Sequence, residues 1–365
     1  MIVLFAPDSF KGTLTSVQVA RALADGWLRA RPDDEILLCP LADGGEGTLE
    51  AVAAAGGWAW EWSMVSDPLE RPVRARWLTR DAGVASSAVI EMAEASGLSR
   101  VHPEDRDPMA ATSVGTGELI SLAIDRGVAH ITLGIGGSAT TDGGRGLLEA
   151  LLPHGLADDR RLSTVDLVVA CDVSNPLLGP SGAAAIFGPQ KGATPEQVEL
   201  LDARNAEWAD TLEAETGRRE RDTPGAGAAG GVGFALLAIQ DRFRSFALRP
   251  GVDLVMEATD FDARLARADL VITGEGRIDA QTAFGKTALG VARRAQAAGK
   301  PCFGVGGSVE PDGIAALATV GAQAVPGWET PVPLEVALAA GVAPLETCGA
   351  RLARAWAAAA TRPGA

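Results

Sequence analysis

The chain has 365 residues, 47% hydrophobic and 22% charged, a globular composition that excludes a disordered protein and is long enough for two cores. A formal net charge of −15, with no run of Lys or Arg, excludes a non-specific nucleic-acid binder. No apolar stretch reaches the roughly 18 residues of a membrane span, and Cys39, Cys171, Cys302 and Cys348 have the spacing of neither a zinc site nor a CxxC pair, so they read as buried reduced thiols of a cytosolic protein.

In chain order, Met1-Ile2-Val3-Leu4-Phe5 carries no basic n-region and runs straight into a strand pattern over 2–6. No signal peptide is expected, and the protein is read as cytoplasmic. Residues 16–31 predict a helix, with Val17, Ala20, Leu23, Ala24, Trp27 and Leu28 on one face and Thr15 or Ser16 as its N-cap. A strand over 35–39 and a helix over 48–55 follow, and this alternation is the βαβ pattern of a parallel sheet. The stretch 58–80 differs: it carries Trp58, Trp60, Trp62 and Trp77 and reads as a crossover into a second domain. Further buried strands are predicted over 89–92, 130–134, 166–170, 269–273 and 302–305. Helices are predicted over 114–125, 195–215, 286–298 and 344–360, and 218–224 reads as an exposed loop.

Five segments set small residues beside acids or lysines at the ends of these strands, where ligands bind in open α/β sheets. The first is Ala6-Pro7-Asp8-Ser9-Phe10-Lys11-Gly12-Thr13, in which Lys11 can meet a phosphate as a mobile point charge. The second, Ala42-Asp43-Gly44-Gly45-Glu46-Gly47-Thr48, offers two carboxylates to a magnesium ion that keeps phosphate oxygens as its other ligands. The third is Gly134-Ile135-Gly136-Gly137-Ser138-Ala139-Thr140-Thr141-Asp142-Gly143-Gly144, whose amides and hydroxyls suit an anion cradle. The fourth joins Asp172, at a strand end, to Phe187-Gly188-Pro189-Gln190-Lys191-Gly192. The fifth runs from Val271 through Gly274-Glu275-Gly276-Arg277-Ile278-Asp279 to Gln281, Thr282 and Gly285-Lys286-Thr287, with an Arg suited to bidentate recognition of a carboxylate.

Two familiar motifs fail. Gly225 to Gly230 spells GxGxxG but follows a charged, Pro-containing stretch instead of a strand, so a helix packed through small residues is expected there and a nicotinamide oxidoreductase is not. Gly285-Lys286-Thr287 ends like a Walker A motif, but Ala280 stands where its first glycine belongs. His102, His130 and His154 do not cluster and read as structural, and no Gly-x-Ser-x-Gly elbow occurs at Ser138.

Taken in order, APDSFKG, ADGGEGT, GGSATTDGG, ACDVSNPL with FGPQKGA, GAGAAGG, and VITGEGRIDAQT with GK resemble the bacterial type-1 glycerate kinases from Ala6 to about Gly307. Thr141 stands where many members have Asn. The resemblance implies an α/β fold of two α/β domains with a cleft between them: one flavodoxin-like and discontinuous, placed at 1–65 plus 265–365, and a second inserted at 66–264. It implies phosphorylation of D-glycerate by ATP with Mg²⁺, giving 2-phosphoglycerate for most members and 3-phosphoglycerate for others. A monomer or homodimer is expected.

Within that frame the roles divide as follows. Lys11, Lys191 and Lys286 neutralise phosphate, and Gly136, Gly137, Ser138, Thr140 and Asp142 cradle the nucleotide phosphates. Asp43, Glu46 or Asp172 hold Mg²⁺. Arg277 takes the glycerate carboxylate, with Ser9, Gln281, Thr282 and Lys286 around the substrate. Asp279, or failing that Asp172, accepts the hydroxyl proton. A binding protein that kept the fold without turnover is the rival from another class; the full set of acids and lysines argues against it.

Overall fold

The computed structural model describes residues 1–10, 12–81, 83, 86–155, 160–280, 282, 287–328, 332 and 334–360. Lys11, Gln281 and Lys286 therefore lie outside the described residues. The chain opens with β1 (Ile2–Phe5), α1 (Ser16–Ala30), β2 (Glu35–Leu38), α2 (Thr48–Ala54), β3 (Ala59–Ser66), β4 (Pro72–Asp81) and β5 (Ser86–Glu91). It continues through α3 (Ala93–Ser96), α4 (Val114–Asp125), β6 (Val128–Gly134), α5 (Arg145–Leu151), β7 (Asp166–Ala170), α6 (Ala183–Phe187), α7 (Pro195–Thr216), α8 (Val232–Ala238) and β8 (Ser245–Arg249). It closes with α9 (Gly251–Ala258), α10 (Phe261–Arg267), β9 (Leu270–Ile278), α11 (Thr287–Ala297), β10 (Cys302–Val309), α12 (Pro311–Ala318), β11 (Gln323–Pro326), α13 (Leu334–Ala340) and α14 (Ala343–Ala360).

These elements form two compact units: unit 1 is Met1–Asp43, Glu50–Gly56 and Val255–Ala365, and unit 2 is Gly44–Leu49 and Gly57–Leu254. The sequence reading sets the boundaries at 65/66 and 264/265. The chain first passes into unit 2 at Gly44–Leu49 and enters it for its long stretch at Gly57, ahead of β3, which pairs with β4 along its whole length and so belongs to the second sheet.

Unit 1 holds a parallel sheet in the order β2-β1-β9-β10-β11. Numbered within the unit, that is the 2-1-3-4-5 order of a flavodoxin-like fold, whose ligand crevice lies where β1 meets the third strand, here β9. Its core joins Val3, Phe5, Leu23, Trp27, Ile272 and Val305. Thr15 begins α1 through a capping box, its hydroxyl accepting from the Gln18 amide at 3.2 Å while the Gln18 side chain accepts from the Thr15 amide at 2.9 Å. On the other side α14 packs closely against α1: a Cβ on Gly26 would stand 1.9 Å from the Glu346 carbonyl oxygen, and one on Gly349 would stand 2.1 Å from that of Leu23. Glycine at both positions is what lets the two backbones touch.

Unit 2 holds a six-stranded sheet in the order β3-β4-β5-β6-β7-β8, antiparallel across its first pairs and parallel from β5 onward. The Trp-rich stretch is its opening hairpin, with Trp77 fully buried and Arg74, Arg76 and Arg80 lying over Trp62, Trp60 and Trp58. The core centres on Ile90, Leu133, Leu147, Leu167, Val169 and Phe234.

Three further expectations are revised. Residues 274–278 are not a loop: β9 continues to Ile278, paired with β10 out to Val309. A Cβ on Gly274 would fall 2.5 Å from the Val305 carbonyl oxygen, so its glycine serves close strand approach, not a turn. Residues 225–230 are not an α-helix: Gly225, Ala229 and Gly230 have positive φ, Ala228–Gly231 form only a distorted 3-10 turn, and α8 starts at Val232. The polar stretch 218–224 is tied down, with Glu220 buried and bound by Arg218 at 2.6 Å, and Arg221 held by Glu213 and Asp210. Among the described residues no helix is long and apolar enough to cross a membrane.

Candidate active site

In unit 2 three of the five segments converge on the carboxyl ends of β5, β6 and β7. A Cβ on Gly134 would lie 2.4 Å from the Gly44 carbonyl oxygen, one on Gly136 would lie 2.7 Å from the Gly45 Cα, and one on Gly44 would lie 2.5 Å from the Ala170 Cβ. At Gly134 and Gly136 backbone packs on backbone and at Gly44 on the Ala170 methyl, so only glycine fits. Beside them Glu91, buried at the end of β5, accepts from the Leu49 amide at 2.6 Å. Gly225-Ala226-Gly227-Ala228-Ala229-Gly230 serves the same purpose, since a Cβ on Gly230 would stand 1.9 Å from the Thr140 carbonyl oxygen. Its glycines carry the next chain segment past the third loop, which accounts for the motif without a dinucleotide.

The third loop is pinned on both flanks. Leu98 N–H donates to the Gly137 carbonyl at 2.9 Å, and Ala139 N–H donates to that of Ser96 at 2.9 Å. Asp142 organises the far end: its carboxylate accepts from the Ser113 amide at 2.8 Å, the Ser113 hydroxyl at 2.7 Å, and the amides of Gly144 and Gly146 at 3.1 and 3.2 Å. Expected at the nucleotide phosphates, Asp142 here joins the starts of α4 and α5.

Lys191 lies beneath the loop. It is 3% exposed, and its ammonium donates to the Ser138 hydroxyl at 3.0 Å and the Thr140 carbonyl at 2.5 Å. Burial pulls its pKa down from 10.5 to about 7, against the opposing pull of the Asp142 charge. The sequence reading has Lys191 neutralising phosphate; in the structure its buried ammonium holds the loop. Because it fills an acceptor position of the Ser138 hydroxyl, that hydroxyl keeps its own proton to donate. Asp172, exposed at the end of β7, accepts from the Gly251 amide at 3.0 Å.

Unit 1 gathers carboxylates where β1, β9 and β10 end. Asp8, 6% exposed, accepts from the Thr287 hydroxyl at 2.7 Å, and its own amide donates to the Gly274 carbonyl at 2.8 Å. Glu275, also 6% exposed, accepts from the Thr282 hydroxyl at 2.7 Å. That hydroxyl in turn accepts from the Asp279 amide at 3.1 Å, so Thr282 shapes the turn that presents Asp279. Arg277 is 65% exposed, its Nε 4.0 Å from Asp279 and 3.7 Å from Glu310. Ser9 is half-buried beside Asp8, whose carboxylate takes the Ser9 amide at 2.5 Å. Asp43 follows β2 half-buried, and Glu46, which belongs to unit 2, is exposed. Asp8, Glu91 and Glu275 are the carboxylates that the sequence reading did not single out as site residues. The available signal was an acid closing or interrupting an apolar strand, as in Ala88-Val89-Ile90-Glu91.

The two sets differ chemically. One supplies hydroxyls, amides and a buried cation, which suit phosphate oxygens; the other supplies carboxylates, which suit an incoming hydroxyl proton.

The sequence matches the model of the glycerate kinase family over residues 3–159 and 156–357. It is 44% identical over 356 residues to the glycerate kinase of Bacillus subtilis (strain 168), covering 89% of this chain and 92% of that one. It is 41% identical over 336 residues to the glycerate 2-kinase of Escherichia coli (strain K12), covering 86% of each. A crystal structure of a Salmonella typhimurium LT2 protein, provisionally assigned as glycerate kinase 2, matches with a TM-score of 0.84 at 41% identity, over 99% of this chain and all of that one.

Proposed function

The chain belongs to the glycerate kinase family, and from that premise we propose that it transfers the terminal phosphoryl group of ATP to D-glycerate, with 2-phosphoglycerate the favoured product. The observation that carries the reading is the family match over nearly the whole chain. The division between a hydroxyl-and-lysine loop and a carboxylate cluster supports it.

In the proposed reaction the substrate hydroxyl oxygen bonds to the γ-phosphorus as the bond to the β,γ-bridging oxygen breaks. ADP leaves with that electron pair, and the hydroxyl proton passes to Asp279, or failing that to Asp172. Gly136, Gly137, Ser138 and Thr140 hold the phosphates, with the Ser138 proton pointed by Lys191, and Asp142 keeps the loop in register. Lys11 and Lys286 add positive charge. Arg277 takes the glycerate carboxylate in a fork, and Ser9, Gln281 and Thr282 are the further substrate-binding residues.

The described residues hold no group of three or more His, Cys, Asp or Glu that could enclose a metal ion. Magnesium needs no such group, since it binds through one or two carboxylates plus substrate phosphates and keeps several waters. Asp43 and Glu46 are the proposed pair, with Asp172 as the alternative. When bound, Mg²⁺ would neutralise charge on the β- and γ-phosphate oxygens.

Phosphorus NMR of a mixture with ATP, Mg²⁺ and D-glycerate tests the reading. It should show ADP and the 2-phosphomonoester. No phosphoglycerate above a glycerate-free control removes the assignment, and a 3-phosphoglycerate signal revises the regiochemistry alone.

A further inference from the structure

A cavity of about 490 Å³ lies wholly within unit 2, lined by Met109, by Thr141 of the third loop, and by Leu201, Asn205 and Trp208 of α7. Asn205 is 2% exposed and Thr141 is 1% exposed. The Asn205 amide nitrogen and the Thr141 hydroxyl are buried with no hydrogen-bond partner among the described residues. Such orphans are few in native proteins, and each destabilises the fold that buries it.

The neighbouring indole and guanidinium groups are engaged. The Trp208 indole donates to the Gly143 carbonyl at 3.1 Å, and Arg204 donates to that of Met109 at 3.2 Å. Arg145 lies over the Trp208 ring and pairs with Glu149 at 2.8 Å. The guanidinium groups an anion would use therefore have other partners. The two unpartnered groups are a neutral amide donor and a hydroxyl, set among the apolar surfaces of Met109, Leu201 and Trp208. That combination fits a flat, neutral heterocycle with ring nitrogens and an exocyclic amine. The volume is also in the range of small-molecule pockets, about 300–1,000 Å³. Gly143 keeps the space open, since a Cβ there would stand 2.7 Å from the Trp208 ring.

The cavity and the cradle share one strip of chain. The Thr140 carbonyl accepts from Lys191, while Thr141, the next residue, lines the cavity. We infer that this cavity is the purine pocket of the nucleotide, with Asn205 and Thr141 hydrogen-bonding the base, and hence that unit 2 holds ATP. The inference rests on the ATP-dependent reading above and adds a base-recognition site to it.

Calorimetry with ADP and with inorganic tripolyphosphate tests it on wild type, Thr141→Val and Asn205→Leu. Each variant should bind ADP about five- to tenfold more weakly, as loss of one hydrogen bond to an uncharged group implies. Tripolyphosphate affinity should not change, and the melting temperature without ligand should hold or rise because a buried orphan is gone. Unchanged ADP affinity in both variants overturns the base pocket while leaving the kinase reading intact. Wild-type protein that neither binds ADP nor phosphorylates glycerate removes that reading and this inference with it. Photolabelling of wild-type protein with 8-azido-ADP is independent of any variant's folding: adducts should map to Met109 or to residues 201–211, and adducts confined to unit 1 overturn the assignment.

Discussion

In unit 1 the buried carboxylates of Asp8 and Glu275 each accept from a threonine hydroxyl, whereas in unit 2 the buried charge at the glycine loop is the ammonium of Lys191, which donates to a serine hydroxyl and a carbonyl. The glycines differ in the same way. In unit 1 Gly274 lets parallel strands approach, and in unit 2 Gly44, Gly136 and Gly230 let loops from distant parts of the chain stack on one another. Unit 1 thus presents acids held at fixed orientation, and unit 2 presents a loop held from beneath. The contrast suggests a division of labour, with proton acceptance on one unit and phosphate handling on the other.

Asp279→Asn offers the hardest test. If the acids of unit 1 carry the proton chemistry, kcat should fall by about 10²–10⁴-fold, the usual range for a lost general base, with ADP affinity within twofold of wild type by calorimetry. An unchanged kcat takes Asp279 out of the base role. Lys191→Met should act in the opposite sense. Loss of the ammonium leaves the Thr140 carbonyl without that donor and frees the Ser138 hydroxyl to rotate, so ADP should bind about tenfold more weakly, the scale of one charged hydrogen bond. Tripolyphosphate should weaken equally, which separates this loop effect from the base-pocket variants. Equal ADP affinity in Lys191→Met and wild type would break the comparison on the unit 2 side. Gly26→Ala is the structural control. Its methyl group would enter the Glu346 backbone, so unfolding free energy should drop by about 1–3 kcal/mol, as overpacking generally costs, while Km for both substrates holds. Denaturant titration that shows no loss contradicts the close α1–α14 approach.

How much of this was legible in the sequence depends on whether the signal was local. The strands over 2–6 and 166–170 and the helix over 114–125 were readable because a continuous apolar run or a 3.6-residue period is a property of neighbours in sequence. The five glycine-rich segments were readable as a set for the same reason. Gly274 to Ile278 misled because glycine signals a turn locally, while its use in β9 is set by β10, far along the chain. GxGxxG misled likewise: the residue that requires glycine at 230 is Thr140. Lys191 was found, but its burial was not, since nothing in Phe187-Gly188-Pro189-Gln190-Lys191 reveals which loop lies above it. Asn205 left no signal inside its helix, and Thr141, noted only as standing where many family members have Asn, gave no sign that its hydroxyl would be buried.

The smallest effect follows from the two buried charges with the largest contrast. The Lys191 pKa of about 7 in the folded protein is far below its ordinary 10.5, so between those values the unfolded chain holds more protons on this group than the native one. Stability therefore rises with pH across that window, and below about 7 the full penalty of burying the ammonium is present. Asp34 of unit 1 behaves oppositely. Burial pushes its carboxyl up, but hydrogen bonds from Arg31, Trp27 and the N-terminus outweigh this and hold it at about 2, below its usual 3.8. Its contribution is complete above 3.8 and disappears as pH falls through 2. Denaturant titrations of wild type, Lys191→Met and Asp34→Asn across pH 3–9 separate the two. Wild type should gain on Lys191→Met by about 1–2 kcal/mol between pH 7 and 8.5, since one group contributes at most about 1.4 kcal/mol per pH unit. Over that same interval its margin over Asp34→Asn should stay flat, shrinking only below about pH 4. A flat Lys191→Met difference would show that the ammonium is not desolvated, and the contrast between a held acid and a buried cation would lose its electrostatic basis.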